Sequence, residues 1–345
     1  SYNRGEARYV NFPSWWWGEN RWDYWAALPN AWDFLDDGVF TPPDLAPNGQ
    51  YFGEHHKQSG VYAALRLKAT DHIAAVLGLR VSDWKLSAWN DFSGEVSTTT
   101  LTDENNVLTP YAGVLVDLTE NLTAYASYTD IFEPQSAEDP EGHRLDPLVG
   151  STYEIGLKRE FREGRLYAAV SAFRTEQDNL AVPIPDAPPN PNGNYPSTAE
   201  DGTVSQGYEL EVVGELSPGW QIGGGYAYAK VEDAEGMALL TQVPKDTLKV
   251  FSTYQLTGAL QGLRIGGNVR WQGKTFSNDG LTGEDFVQGS QFSIDLMAYY
   301  KVTEQVSLSL HVNNVTDEVY YSGIGWLSGF YETPRNFLFG FRWAL

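Results

Sequence analysis

The feature that most constrains this chain is an alternation of apolar and polar residues that recurs along its length. From Phe292 to Val302 every even position is apolar, and most of the positions between them are polar. After the turn Thr303-Glu304 the same phase resumes from Val306 to Val312. Successive side chains of a β-strand point to opposite faces, so the pattern predicts a hairpin with one apolar and one polar face.

The same pattern recurs upstream and at the C-terminal end, and it predicts about fourteen strands. They are expected near 3–12, 57–68, 71–88, 106–118, 121–133, 150–161, 164–180, 204–217, 219–233, 246–257, 262–277, 291–302, 305–316 and 335–345. Short turns alternate with long connections, which are 13–56, 89–105, 134–149, 181–203, 234–245, 278–290 and 317–334. Short turns on one side and long loops on the other are typical of outer-membrane barrels. The predicted fold class is therefore all-β, a transmembrane antiparallel up-and-down β-barrel.

The composition agrees with a barrel. The mean hydropathy is -0.37, and no window approaches the roughly 18 to 20 consecutive apolar residues of a spanning helix. Barrel strands avoid that requirement, because only every second residue faces lipid. The net charge of -22 argues against nucleic acid as a partner, and the absence of Cys excludes thiol catalysis. A soluble β-sandwich or solenoid is the alternative, but it has no reason to place every long connection on one side.

Six segments resemble the C-terminal barrel of TonB-dependent siderophore receptors, most closely the hydroxamate group with its ferric-coprogen and ferric-rhodotorulic acid receptors. They follow the order of that family from about residue 57 onward. The segments are TPYAGVLVDLTENLTAYASYTDIFEPQ (109–135), YEIGLK (153–158), FRTEQDN (173–179), DGTVSQGYELEV (201–212), VNNVTDEVYY (312–321) and TPRNFLFGFRW (333–343).

This resemblance implies a barrel of about 22 strands, filled by an N-terminal plug, in the bacterial outer membrane. It implies uptake of a ferric siderophore, driven by TonB-ExbB-ExbD through the plug. Residues 1–345 then correspond to the C-terminal part of the barrel, without the plug and the first strands. Lipid and lipopolysaccharide are expected around the barrel, and phage or bacteriocins as further partners. The alternative function is a passive porin-like channel.

Two aromatic clusters in the long connections are the candidate ligand-binding sites. A ferric hydroxamate is bulky and its iron is fully coordinated, so a receptor should supply aromatic walls rather than metal ligands. For the first cluster, packing inside the loop or an interfacial aromatic belt is an alternative explanation to ligand binding. The candidate residues are Trp15, Trp16, Trp17, Trp22, Tyr24 and Trp25 in the first loop, and Tyr320, Tyr321, Trp326 and Tyr331 in the last.

No enzyme, cofactor or resident metal is predicted. Ser309, His311 and Asn313 share one strand face but lie about 6 to 7 Å apart at each step, too far for nucleophile activation. Glu209, Glu211 and Glu215 alternate with apolar residues and are expected to face the lumen. In a complete receptor they are expected to pair with basic plug residues or with Arg and Lys of neighbouring strands, such as Arg264 and Arg270. Two further groups are expected as solvated loop residues: Glu54, His55 and His56, and the carboxylates Asp103, Glu104, Asp139 and Glu141. Calcium or an adventitious metal is the alternative, but no spacing among them matches an EF-hand or zinc pattern.

Overall fold

A computed structural model describes residues 2–10, 50–92, 95–184, 187–278, 284–325 and 328–344. In these ranges the regular structure consists of β-strands and one 3-10 helix, Gly258–Leu260. The strands are β1 Tyr2–Val10, β2 Gln50–Lys68, β3 Ile73–Phe92, β4 Glu95–Thr119, β5 Leu122–Glu133, β6 Leu148–Phe161, β7 Leu166–Asp178, β8 Leu180–Pro183, β9 Ser197–Glu200, β10 Thr203–Ser217, β11 Trp220–Glu232, β12 Ala238–Leu239, β13 Asp246–Gln255, β14 Leu263–Gln272, β15 Thr275–Asn278, β16 Asp285–Gln288, β17 Gln291–Lys301, β18 Val306–Asn313, β19 Tyr321–Gly325, β20 Ser328–Tyr331 and β21 Asn336–Trp343.

The main sheet has the strand order β1-β2-β3-β4-β5-β6-β7-β10-β11-β13-β14-β17-β18-β21, with β12 added beside β11. Its neighbours follow one another along the chain, and their described registers are antiparallel. Each of the fourteen predicted strands overlaps one strand of this order. The predicted all-β, up-and-down topology is therefore confirmed.

The chain divides into two compact units. One comprises residues 1–62 and 80–108, and the other residues 63–79 and 109–345. In the first unit, β1 pairs with β2 in a register that places Tyr2 opposite Ser59 and Val10 opposite Tyr51. The second unit holds β5 to β21 and with them every described residue of the candidate site.

The connection predicted at 89–105 is wrong, because β3 continues to Phe92 and β4 already begins at Glu95. Similarly, β2 begins at Gln50, inside the connection predicted at 13–56. Residues 95–100 of β4 are all exposed. A strand with solvent on both faces has no reason to alternate apolar and polar residues. The sequence pattern therefore cannot predict it, although its backbone pairs with a neighbouring strand.

Three small hairpins that the pattern does not predict lie between strands of the main sheet, and the strand predicted at 262–277 is divided between β14 and β15. The hairpins are β8 with β9, β15 with β16, and β19 with β20. Each strand has only four or five residues, which is too short for a readable period. These hairpins give the long-loop side of the sheet a defined surface.

The main sheet has one apolar and one largely polar face, called here the apolar face and the polar face. On β21, Phe337, Phe339, Phe341 and Trp343 occupy the apolar face and are 63% to 69% exposed. A water-soluble protein rarely leaves so continuous an apolar surface uncovered. The apolar face is therefore suited to contact with lipid, as outer-membrane strands require.

On the polar face of the second unit, the Tyr125 ring lies against Gly156, its register partner. The Tyr125 hydroxyl donates a hydrogen bond to the Glu154 carboxylate, and Lys158 Nζ lies 4.4 Å from the ring centroid. This stack occupies the same face as Glu211, because Lys158 and Glu211 are both register partners of Ala169.

Candidate functional site

The last described hairpin, β19 and β20, presents an aromatic cluster at the long-loop side of the sheet. The rings of Tyr321 and Tyr331 stack with centroids 4.6 Å apart, and their hydroxyls lie 3.2 Å apart. Phe286 of β16 packs on Tyr321 with a centroid distance of 5.2 Å. Tyr331 is 67% exposed, so the cluster offers an open aromatic surface as well as hydroxyl groups.

The pKa of Tyr321 lies above its ordinary value, because its hydroxyl is hydrogen-bonded to that of Tyr331 and deprotonation would weaken this bond. Tyr321 thus stays protonated at neutral pH, and the hydroxyl of the pair that does not donate to the other can donate to an incoming ligand. Hydroxyl donors on an aromatic wall suit a bulky ligand that carries carbonyl or hydroxamate oxygens.

A chain of glutamine amides anchors the hairpin to the sheet. Gln272 Nε2 donates to Gln291 Oε1 at 2.8 Å, and Gln291 Nε2 donates to the carbonyl of Tyr321 at 2.9 Å. The backbone amide of Tyr321 donates to Gln288 Oε1 at 3.0 Å. Both backbone polar groups of Tyr321 are satisfied in this way, which fixes the position of its ring.

A polar cavity of about 220 Å³ lies between this hairpin and the polar face of the sheet. Its sheet side includes Lys249 of β13, Arg270 of β14 and Ser293 of β17, and its hairpin side includes Tyr320 and Glu332. The amide of Glu332 donates to the carbonyl of Tyr320 at 2.9 Å, which joins the two ends of the hairpin. The cavity therefore combines two cations, a serine hydroxyl, a tyrosine and the Glu332 carboxylate, next to the aromatic cluster.

A larger, open groove of about 730 Å³ continues along the polar face. Glu209 and Glu211 of β10 line one side and Lys249 lines the other, while Gly225 of β11 lies between Glu211 and Lys249 in register. The predicted partners of Glu215 are basic plug residues or Arg and Lys of neighbouring strands. In the structure its partner is Arg165, 3.6 Å away and directly before the neighbouring strand β7, rather than Arg264 or Arg270.

A second region ties two long connections together. Glu138, between β5 and β6, is 7% exposed, and its Oε2 accepts hydrogen bonds from three asparagine amides. Arg144 Nη2 lies 3.6 Å from Glu138 Oε1. We call this group the Glu138 clasp; its amide donors are Asn190, Asn192 and Asn194, between β8 and β9.

The expected positions of the other titratable groups need two corrections. Glu54, His55 and His56 lie inside β2, where neighbouring side chains point to opposite faces, so His55 and His56 cannot share a ligand. Their rings lie near Trp89 and Trp84 respectively. Asp103, also expected in a loop, lies in β4 with Lys85 Nζ 2.6 Å from its carboxylate. The neighbouring residue Glu104 is in β4 as well.

Ser309, His311 and Asn313 lie along β18, as the sequence predicts, and Asn313 Nδ2 donates to Asn336 Oδ1 at 2.8 Å. In the described ranges, no group of three or more His, Cys, Asp or Glu side chains is arranged to hold a metal ion. None of the described helices is long and apolar enough to span a membrane.

The structure brings together three of the predicted ligand-binding residues, Tyr320, Tyr321 and Tyr331, at one hairpin. The remaining seven, Trp15, Trp16, Trp17, Trp22, Tyr24, Trp25 and Trp326, lie outside the described residues. Sequence reasoning missed Phe286, Gln291 and Lys249. Alternation does place Gln291 and Lys249 on the polar face, but it gives no register and thus no sign that they meet below the last hairpin.

Three comparisons with known proteins agree on the family. The sequence matches the family described as TonB dependent receptor-like, beta-barrel over residues 1–315. It is 38% identical over 338 residues to the ferric-pyoverdine BN7/BN8 receptor of Pseudomonas putida, an alignment that covers 97% of this chain and 40% of that protein.

Two solved structures share the fold at 36% identity. The ferripyoverdine receptor of the outer membrane of Pseudomonas aeruginosa, bound to ferripyoverdine, superposes with a TM-score of 0.76 over 89% of this chain and 41% of that chain. The FpvAI-pyocin S2 complex gives a TM-score of 0.75 over 89% of this chain and 42% of that one. The chain thus spans about two-fifths of the length of these relatives. The P. putida protein and the ferripyoverdine receptor of P. aeruginosa are receptors by name.

Proposed function

This chain belongs to the TonB-dependent receptor-like β-barrel family, and from that premise we propose that it is the C-terminal barrel portion of an outer-membrane receptor that takes up a ferric siderophore. The observation that carries the proposal is the alignment with a ferric-pyoverdine receptor over 97% of the chain. The continuous apolar face, which suits lipid, and the aromatic hairpin on the long-loop side support it.

The siderophore we propose is of the pyoverdine type. The sequence resemblance pointed to hydroxamate receptors for ferric coprogen or ferric rhodotorulic acid, whereas the relatives named above are ferric-pyoverdine receptors. An aromatic wall with hydroxyl donors would accept either class, because it recognises a bulky iron complex through its surface rather than through the metal. The choice between the two therefore rests on the relatives.

A passive porin-like channel is the weaker function. The matched family is one of TonB-dependent receptors, and the two relatives cited above for the siderophore type are receptors by name. The anchored aromatic hairpin also favours a receptor, since a diffusion pore has no need of an ordered aromatic cluster at its mouth.

The partners we propose follow from the family and the relatives. A plug preceding this chain would connect the receptor to TonB-ExbB-ExbD, and the apolar face would contact lipid and lipopolysaccharide. A bacteriocin is a further proposed partner, because one relative has been solved with pyocin S2. The exposed rings of Phe330 and Tyr331, 72% and 67% accessible, would be available to such a protein.

The test is ligand binding to the full-length receptor, measured by quenching of tryptophan fluorescence. Ferripyoverdine, ferric coprogen and the two iron-free siderophores are added in parallel. We expect saturable quenching by ferripyoverdine and much weaker binding of ferric coprogen. Tight binding of ferric coprogen alone would restore the hydroxamate assignment. No binding of either complex, together with channel conductance in planar bilayers, would favour the porin.

Two sets of variants locate the site. Replacing Tyr321 or Tyr331 singly with Ala should weaken ferripyoverdine binding by about ten- to a hundredfold, since each buried aromatic contact contributes about 1 to 3 kcal/mol. Replacing Trp15, Trp16 and Trp17 with Ala tests the first loop in the same way. Trp220→Ala is the matched control. Trp220 is an exposed aromatic residue that follows a short turn, at the end of the strands opposite to the long loops.

A further inference from the structure

Two cations lie side by side on the polar face below the last hairpin. Lys249 of β13 is the register partner of Arg270 of β14, which is in turn the register partner of Ser293 of β17. Like charges directly opposite each other on neighbouring strands destabilise a sheet. Two adjacent cations are expected where a negatively charged group binds both and offsets their repulsion.

The protein supplies only part of that charge. Arg270 Nη2 lies 3.3 Å from Asp295 Oδ2, and the other oxygen of Asp295 accepts a hydrogen bond from the backbone amide of Asn314 at 2.7 Å. Lys249 is exposed and has no hydrogen-bond or ion-pair partner within the described ranges. Glu332 lines the hairpin side of the cavity, where its Oε1 accepts from the amide of Thr333. Glu209 and Glu211 line the open groove beyond Lys249.

An unused hydroxyl faces the same cavity. Ser293 is 2% exposed, and its Oγ has no hydrogen-bond partner in the described part of the chain. A buried hydroxyl without a partner is costly, and native proteins usually satisfy such groups with protein, water or ligand. Ser293 therefore indicates, independently of the two cations, that the cavity receives a hydrogen-bonding group.

The next row of the polar face completes the floor of the cavity. Thr247, Gln272 and Gln291 are register partners, and Gln272 and Gln291 are already fixed by the amide chain that holds Tyr321. The floor is therefore a preorganised patch with two positive charges and hydroxyl donors. A carboxylate satisfies both requirements, since its two oxygens can accept from Lys249, Arg270 and Ser293 at once.

We propose that this cavity binds a carboxylate of the transported ferric siderophore, so that the substrate class is anionic. The proposal rests on the proposed receptor function and deepens it: the aromatic cluster of Tyr321 and Tyr331 holds the body of the complex, while Lys249, Arg270 and Ser293 hold its acidic arm. The 220 Å³ of the cavity accommodates a carboxylate on a short chain but not a complete iron complex.

The test uses the full-length receptor with its lysines labelled as ¹³C-dimethyl-lysine. The resonance lost in the Lys249→Arg variant is assigned to Lys249. Citrate is the first probe, and chloride at matched ionic strength is its comparator. We expect a saturable shift of the Lys249 resonance with citrate that chloride does not reproduce and that needs about five- to tenfold more citrate in the Arg270→Gln variant. A Lys249 resonance that citrate leaves unmoved would overturn the carboxylate site.

The second part measures affinity for ferripyoverdine carrying a free carboxylate and for the same complex with that carboxylate amidated. Lys249→Gln and Arg270→Gln should each weaken binding of the carboxylate form about five- to tenfold and leave the amide form unchanged. Ser293→Ala should weaken it less, and Glu332→Gln should strengthen it by removing a competing negative charge. Lys301→Gln is the matched control, because Lys301 pairs with Glu304 at a short turn far along the same face.

The outcomes separate the two proposals. If neither form of ferripyoverdine binds the wild-type receptor while citrate shifts Lys249, the proposed siderophore type is wrong and the carboxylate site is supported. If both forms bind equally well to the wild-type receptor and to the Lys249→Gln variant, the receptor function is supported and the carboxylate site is overturned.

Discussion

Asn190 donates a hydrogen bond from its side-chain amide to the buried carboxylate of Glu138 over 2.9 Å, across 52 positions of sequence. Asn192 and Asn194 donate to the same oxygen at 3.1 and 2.9 Å. The orientation of Asn190 is fixed by its own Oδ1, which accepts from the backbone amides of Asn192 and Asn194. The Glu138 clasp therefore holds two long connections together through charge-assisted hydrogen bonds, which are stronger than neutral ones.

The first prediction is that Glu138→Gln opens the clasp. The new amide would face three amide donors with a single acceptor oxygen, which leaves buried donors unsatisfied at about 1 to 3 kcal/mol. Hydrogen exchange measured by mass spectrometry should accelerate about ten- to a hundredfold in residues 134–147 and 187–197. Glu141→Gln, an exposed change in the same loop, is the control. Equal exchange in the two variants would show that the clasp contributes little.

The second prediction is that the clasp opens in acid. Burial raises the pKa of Glu138, but the amides of Asn194, Asn190 and Asn192 and the charge of Arg144 outweigh it and leave the pKa below its ordinary value. A depressed carboxylate pKa gives stability that is complete above the unfolded pKa of about 4.3 and is lost as the pH falls through the folded value. Asp139, with its pKa depressed against burial by the amide and charge of His143, acts in the same sense.

Spin labels would measure this opening, because the chain contains no native Cys to compete for labelling. Cysteines at Glu141 and Tyr195, both exposed, report the distance between the two connections. We expect one short distance from pH 5 to pH 8 and a broader, longer distribution below about pH 4. A distribution that widens between pH 6 and pH 7 instead would point to a histidine rather than to Glu138.

The third prediction concerns the anchor of the aromatic hairpin. Gln291→Leu fills the same buried space, since Gln291 is 6% exposed, but removes the bonds to Gln272 and Tyr321. Exchange in residues 320–325 and 328–332 should rise, and ferripyoverdine affinity should fall several-fold because Tyr321 loses its fixed position. Gln305→Leu at an exposed turn is the matched control. Unchanged exchange in Gln291→Leu would assign the anchoring to Gln288 alone.

The fourth prediction concerns the close contact below Tyr125. A Cβ at Gly156 would lie 2.6 Å from a carbon of the Tyr125 ring, so Gly156→Ala forces the ring off Gly156 and away from Glu154. Overpacking of this kind costs about 1 to 3 kcal/mol. The temperature at which the protein loses its compact mobility on detergent gels should fall. Gly289→Ala, with nothing within 4 Å of the added carbon, should leave that temperature unchanged.

The candidate site was only partly predictable. Tyr320, Tyr321 and Tyr331 could be selected because aromatic residues in a long connection call for a packing partner or a ligand. The stacking of Tyr321 on Tyr331 could not be predicted, because it depends on a hairpin whose strands are too short to show an alternation of apolar and polar residues. Phe286 comes from a different connection, and nothing local in the sequence brings it to Tyr321.

The sequence by itself determined that fourteen strands follow one another in the main sheet and, where apolar and polar residues alternate, the face on which a side chain lies. The physical reason is that a strand has a period of two set by its own backbone, so alternation records burial without reference to any other strand. Short turns, as between β17 and β18, join neighbouring strands and make the up-and-down order follow from the chain.

Only the tertiary structure decided which residues meet. Lys249 stands beside Arg270 and Ser293 because of three strand registers, and the buried charge of Glu138 is satisfied by amides 52 to 56 positions away. The solvent-exposed beginning of β4 and the small hairpins between the main strands are also strands because their backbones pair with a neighbour. Their sequences show no alternation of apolar and polar residues. The registers of the strands and the contacts between loops depend on the free energy of contacts between residues far apart in sequence. Such contacts produce no periodic pattern in the local sequence.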